Sequence, residues 1–212
     1  MPLDDTCFTH SKVFHRWKQD DAVLTSNIVS IDLDSGQSTT HVPNRLGQCL
    51  AYTFQWVQGV KLNKHYVYKG ENQLDAIKMQ KSYLEFHPNS YLSNFTLLHL
   101  GISPTVYGYY SPPFNPNVAK DWLTKFQKDK NHFVLVVVRK PNWAHIFGIK
   151  LDQSTFGGWL NKSYPCSLFD SNVGQGMYNN QSDLSNDLVS IILAYENIST
   201  VEFFGLKFDK IN

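Results

Sequence analysis

The chain has 212 residues, of which 42% are apolar and 14% aromatic, and its formal net charge is +1 at pH 7. A chain of this size and composition can bury roughly 70% of its unfolded surface, which predicts one domain with a sizeable core. The small net charge and the absence of a run of roughly 18 apolar residues argue against nucleic-acid partners and against membrane insertion.

The N-terminal part is polar and holds two short alternating apolar patches, Val23–Thr25 and Ile28–Leu33, closed by the turn-forming run Asp34–Gly36. Such alternation predicts short strands. We therefore expect an N-terminal extension or covering segment over 1–40 and the main domain over 41–212. The first residues lack the basic and then apolar pattern of a signal peptide, so synthesis in the cytosol is expected.

Three segments have the apolar spacing of helices: Cys49–Val60, Gln73–Phe86 and Asn117–Lys128. The first is predicted to be amphipathic and about three turns long. Before the third, Tyr107–Pro116 contains three prolines and a glycine, which break both the helical and the strand period. This stretch is predicted to be an irregular loop.

The C-terminal part changes to the strand period. Two apolar runs, His132–Val138 and His145–Leu151, predict an antiparallel hairpin around a turn at Arg139–Asn142. The further predicted elements are a strand over Cys166–Phe169, a helix over Ser182–Glu196 and a strand over Thr200–Phe208. Together the patterns predict an α+β domain.

Cys49 stands at the start of the first predicted helix. The first N–H groups of a helix lack backbone partners and carry partial positive charge, so they stabilise a thiolate. This position predicts a nucleophile. Of the two other cysteines, Cys166 is expected on a strand and Cys7 in a mobile tail, and neither has a comparable source of positive charge. Without a Cys-x-x-Cys pair we expect neither a disulfide framework nor a metal site.

Two later residues complete a reactive set with the cysteine: His145 at the start of a strand and Asp170 at the end of another. His145 would take the thiol proton and later protonate the leaving amine, while Asp170 would fix the imidazole tautomer. Each residue also has an ordinary interpretation. Cys49 would be a small buried hydrophobe, His145 a core histidine beside Phe147, and Asp170 part of a turn.

Three motifs combine these residues: Gly47-Gln-Cys49 with Thr53 and Trp56 further along the helix, Ala144-His145, and Phe169-Asp-Ser-Asn-Val-Gly174. Together they resemble the papain-like clan, and within it the YopT-type bacterial effector cysteine proteases. The resemblance covers the chain from Gly47 to Gly174. It implies a papain-like cysteine protease fold, with the nucleophile helix packed on an antiparallel β-sheet and a catalytic domain over 41–212.

The resemblance also implies an activity. The chain would be a monomeric cysteine protease acting on a host protein without cofactor or metal, made in the bacterial cytosol and secreted into the host cell without a cleaved signal peptide. Oxyanion donors would be the Cys49 N–H and the amide of Asn44, with Gln48 as the alternative. Two other functions stay open: a glutamine deamidase with the same triad, and a non-catalytic papain-like module that binds a partner through Tyr107–Pro116. Tyr52 departs from the family pattern, where an aliphatic residue is expected.

Overall fold

A computed structural model describes most of the chain after the first fifty residues and parts of the segment before them. The described residues are 4–18, 29–31, 38–40, 49–63, 66–70, 75–76, 78–79, 91–110, 115–141, 143–151 and 164–209. Within them, a 3₁₀ turn over Asp5–Phe8 precedes the helices α1 (Cys49–Leu62), α2 (Tyr91–Leu100), α3 (Pro116–Lys128) and α4 (Gln181–Ala194). The strands are β1 (Val13–Arg16), β2 (Val29–Ile31), β3 (Ser38–Thr40), β4 (Thr105–Tyr110), β5 (Phe133–Lys140), β6 (Trp143–Lys150), β7 (Cys166–Asp170), β8 (Gly174–Tyr178) and β9 (Thr200–Leu206).

Seven of these strands form one antiparallel sheet in the order β1-β8-β7-β6-β5-β9-β4, and β2 pairs separately with β3. The predicted hairpin is present as β5 and β6, which pair from Phe133 opposite Lys150 to Lys140 opposite Trp143. The prediction of an α+β chain with an antiparallel sheet is confirmed. Among the residues described, none of the helices is long and apolar enough to cross a membrane.

The sheet carries a buried cluster on each face, which explains why β5 is an uninterrupted apolar run. Alternate residues of a strand point to opposite faces. Val134, Val136 and Val138 belong to the cluster that includes residues of α3 and α4, whereas Leu135 and Val137 belong to the cluster that includes residues of α1. The sheet therefore separates the Cys49 helix from the C-terminal helix α4.

The helix that begins at Cys49 has the partly exposed face predicted for it at Gln55 and Gln58, but its first six residues are buried on every side. The buried residues of the helix are Cys49, Leu50, Ala51, Tyr52, Thr53, Phe54, Trp56, Val57 and Val60. The sheet covers one side, and aromatic residues far away in the chain cover another. Trp17 and Tyr68 meet Tyr52 with ring centroids 4.7 and 5.8 Å away. A tyrosine fits where an aliphatic residue was expected, because it completes this aromatic cluster.

One predicted break in regular structure is wrong, and another is present but shorter than predicted. β4 continues through Tyr107–Tyr110, because the prolines lie beyond it and an edge strand beside β9 tolerates the register shift between Val106 and Tyr109. The turn predicted over 139–142 is tighter, since Arg139 still pairs with Ala144. Residues 111–114 of the predicted irregular loop, and most of the helix predicted over Gln73–Phe86, lie outside the described residues.

The residues before β1 belong to the core, so the prediction of a mobile tail around Cys7 is wrong. Cys7 has no exposed surface, and Phe8 packs against Phe14 with ring centroids 4.8 Å apart. Nδ1 of His10 lies 2.7 Å from Oδ1 of the fully buried Asp187 on α4. These contacts attach the segment to α4, while β1 pairs with β8. Burial also raises the pKa of the Cys7 thiol.

Candidate active site

The helix α1 lies directly against β6 and β7, and this contact positions its first residue, Cys49. Oγ1 of Thr53 donates a hydrogen bond to the carbonyl oxygen of Ile146 on β6, over 3.3 Å. Trp56 stacks on Phe169 of β7 with ring centroids 5.5 Å apart and planes 13° apart. One polar contact and one aromatic contact therefore fix α1, and with it Cys49, relative to both strands.

Gly148 allows α1 to approach β6 so closely. A Cβ atom added at Gly148 would lie 2.6 Å from Cζ3 of the Trp56 indole and 3.1 Å from Cγ2 of Thr53. No side chain fits at this point of the strand unless the indole moves. The glycine is thus required by the helix–sheet contact that brings the cysteine toward the strand of His145.

We expect Gly148→Ala to lower the free energy of unfolding by about 1–3 kcal/mol, because the new methyl group overpacks the contact. Turnover should fall as well, since α1 must shift relative to β6. Urea unfolding and steady-state kinetics measure the two effects. Adding Trp56→Phe, which removes the indole atoms that meet the methyl group, should restore part of both. Wild-type stability and turnover in Gly148→Ala would contradict this account.

His145 and Asp170 meet where the pairing of β6 with β7 stops. The last residue pair is Gly148 with Phe169, so His145 lies three residues beyond the end of that ladder. Nε2 of His145 lies 3.0 Å from Oδ1 of Asp170, and the two side chains are 2% and 0% exposed. A buried imidazole and a buried carboxylate are stable together because each satisfies the other.

The remaining ring nitrogen of His145 faces the sulfur of Cys49. Burial by itself disfavours the imidazolium. The charges of Asp170 and Cys49, together with hydrogen bonds from the ring to both, outweigh it and raise the pKa of His145 to about 10. Because Nε2 is hydrogen-bonded to Asp170, we infer that Nδ1 is the ring nitrogen that contacts the sulfur. A neutral imidazole that donates from Nε2 to the carboxylate presents a lone pair on Nδ1 for the thiol proton.

Asp170 accepts hydrogen bonds at both oxygens. The backbone N–H of Asn172 donates to Oδ1 over 2.8 Å, as in the turns that aspartate often starts. The hydroxyl of Tyr195 donates to Oδ2 over 2.9 Å, and Nδ2 of Asn172 lies 2.8 Å from that hydroxyl oxygen. The ordinary interpretation of Asp170 as a turn residue thus describes its backbone, while its side chain holds the histidine.

Tyr195 is the site residue that sequence reasoning missed. It follows the last residue of α4, where a tyrosine gives no signal beyond helix-end packing, and only the fold brings it to the sheet. Its ring lies 4.8 Å from that of His145. Burial and the nearby Asp170 carboxylate raise the pKa of its phenol well above the usual value, so the group remains a neutral donor.

The structure thus brings Cys49, His145 and Asp170 together. Asn44 and Gln48, the two predicted oxyanion donors, lie outside the described residues. Cys166 is buried at the opposite end of β7 from Asp170, about 13 Å away along the strand. In the part of the chain that the structure describes, no group of three His, Cys, Asp or Glu residues is arranged to hold a metal ion.

No protein-family model, curated protein or solved structure matches this chain. The function is therefore inferred from the chemistry of the site and not from a matching protein. That site combines a cysteine at a helix start, a buried histidine with a raised pKa, and a buried carboxylate.

Proposed function

We propose that the chain is a papain-like cysteine protease with Cys49 as nucleophile, His145 as base and Asp170 as the residue that orients the base. One observation carries the proposal: the imidazole of His145 hydrogen-bonds to both the Cys49 sulfur and the buried Asp170 carboxylate. A core histidine needs one partner of this kind. A base needs the carboxylate on one nitrogen and the nucleophile on the other.

The reaction follows from that arrangement. Nδ1 of His145 takes the proton of the Cys49 thiol, and the thiolate attacks the carbonyl carbon of the substrate amide. The C–N bond then breaks as the imidazolium returns its proton to the leaving nitrogen, which leaves a thioester on Cys49. His145 next removes a proton from water, the hydroxide attacks the thioester, and the acid product leaves with the thiol restored.

Two features of the site support this cycle energetically. The N–H groups at the start of α1 favour negative charge on the sulfur, and the raised pKa of His145 keeps the imidazole charged beside it. The backbone N–H of Cys49 would also donate to the tetrahedral oxyanion, with the amide of Asn44, or of Gln48, as the second donor. Such donors act mainly in the transition state, where the negative charge develops.

We propose a host protein as substrate and secretion as the route to it, because the three motifs resemble those of secreted bacterial effectors. Hydrolysis of a peptide bond creates a new α-amino group, whereas deamidation of glutamine creates none. The test therefore compares eukaryotic cell extract incubated with the wild-type protein and with Cys49→Ala, and new protein N-termini are then labelled and identified by mass spectrometry.

New termini that depend on Cys49 are the expected result. Glutamate in place of glutamine, without new termini, would instead identify a deamidase. A wild-type protein that changes no substrate yet retains a host protein through Tyr107–Pro116 would overturn the enzymatic proposal in favour of a binding module.

A further inference from the structure

A series of hydrogen bonds holds the carboxylate of Asp170. The series begins at Asn172, in the turn that follows Asp170, and continues through Tyr195 at the end of α4. An amide nitrogen can only donate, so Nδ2 of Asn172 donates to the hydroxyl oxygen of Tyr195. The single proton of that hydroxyl is then left for Oδ2 of Asp170, 2.9 Å away. The series thus runs in one direction, from Asn172 through Tyr195 to Asp170.

We propose that Tyr195 is a positioning residue for the Cys49–His145 pair, acting through Asp170 and through its own ring; this inference rests on the proposed function. With Oδ2 held by Tyr195, and Oδ1 shared between the Asn172 N–H and His145, the carboxylate cannot rotate away from the imidazole. Hydrogen bonds to a charged acceptor are the strong ones, which makes Tyr195 an effective anchor.

The ring of Tyr195 acts on the histidine directly. It lies 4.8 Å from the imidazole, with 35° between the planes, and Phe147 lies 6.1 Å from the imidazole. The two aromatic rings limit the rotation of His145 and exclude water from it. Water excluded from the His145–Asp170 pair cannot screen their attraction. One side chain therefore orients the carboxylate with its hydroxyl and confines the base with its ring.

Tyr195→Phe separates these roles, because it removes the hydroxyl and keeps the ring. We expect the turnover number to fall about tenfold with KM unchanged, the size expected from losing one hydrogen bond to a charged group. The ratio of Cys49 alkylation rates by iodoacetamide at pH 6 and pH 8.5 should also move toward the ratio for free cysteine. A role limited to stability would lower the melting temperature without changing this ratio.

Tyr178→Phe is the matched control. Tyr178 is fully buried on β8 opposite Cys166, about 13 Å along the sheet from Asp170, so its loss should leave turnover and the alkylation ratio unchanged. A second comparison tests the route of action. If Tyr195 acts through Asp170, Tyr195→Phe should cause no further loss of turnover when Asp170 is already alanine. Asn172→Ala should give a smaller effect of the same kind.

The outcomes separate the two proposals. Wild-type turnover and alkylation ratio in Tyr195→Phe, with Cys49→Ala inactive, would overturn the role of Tyr195 and leave the protease intact. The role of Tyr195 would also be overturned if the losses of turnover caused by Tyr195→Phe and by Asp170→Ala simply add. Wild-type Cys49 that reacts like free cysteine at pH 6 would instead overturn the proposed function itself. If Asp170→Ala fails to fold, the ratio of Cys49 alkylation rates at pH 6 and pH 8.5 in Tyr195→Phe decides whether Tyr195 is a positioning residue.

Discussion

Cys49→Ala and His145→Ala should each reduce turnover by on the order of 10⁵-fold or more, because the thiol and its base act as one unit and neither works alone. The double variant should be no less active than either single variant. Asp170→Ala should retain more activity, since the carboxylate orients the base but takes no proton. Steady-state kinetics on the substrate found by N-terminal labelling measure all four variants, and circular dichroism and melting curves verify the fold.

Cys166→Ala is the matched control for this series. Cys166 is buried, with 1% of its surface exposed against 6% for Cys49, and it lies on the strand that ends at Asp170, but no helix begins at its position. Its replacement should leave turnover unchanged. Full activity in a folded Cys49→Ala variant would refute the proposed mechanism, and unfolding of Cys49→Ala, His145→Ala and Asp170→Ala together would favour the ordinary interpretation of these residues as core and turn positions.

At pH 6, iodoacetamide should alkylate Cys49 roughly tenfold to a hundredfold faster than free cysteine, which is almost wholly protonated there. The expected cause is the positive charge of His145 and of the N–H groups at the start of α1, both of which favour negative charge on a neighbouring sulfur. The raised pKa of His145 means that the imidazolium persists from pH 6 upward until the pH passes about 10. His145→Ala removes this charge, so alkylation at pH 6 should slow and its pH midpoint should rise.

The reference for this experiment must be free cysteine rather than the other two cysteines. Cys7 and Cys166 are 0% and 1% exposed, so burial alone would make them slow whatever their ionisation. Labelling in urea, where all three sulfurs are accessible, should abolish the difference among them. A Cys49 that reacts no faster than free cysteine from pH 6 to pH 8.5 in the folded protein, with no effect of His145→Ala, would be a buried and inert sulfur.

Elements whose signals are local can be predicted from the amino-acid sequence without the fold. α3 begins where a capping residue precedes a proline: the Asn115 side chain accepts hydrogen bonds from the N–H groups of Asn117 and Val118, and Pro116 lies in the first turn. The apolar run of β5 and the helix start at Cys49 are likewise visible, because periodicity and capping depend on residues a few positions apart. The candidate site was predicted from the local setting of each of Cys49, His145 and Asp170, taken together with their order along the chain.

Other elements form because of partners far away in the chain, and the amino-acid sequence gives no local signal for them. β8 contains two glycines and lacks a strand signal, yet it forms because β1 and β7 pair with it on both sides. An added Cβ at its Gly176 would clash with Phe8, from the other end of the chain. Likewise, no local pattern marks the first turns of α1 as buried on every side, because what covers them comes from elsewhere in the chain.

Tyr195 illustrates the same limit within the site. Its hydroxyl meets a carboxylate 25 residues earlier in the chain, and its ring meets His145, which lies earlier still. A helix-end tyrosine has no composition or spacing that distinguishes a packing role from a positioning role. The groups proposed to react could be predicted from the sequence, since chemical type and local backbone are visible there. The tertiary structure decided which groups hold them in place, since those contacts form only when α4 packs against the sheet.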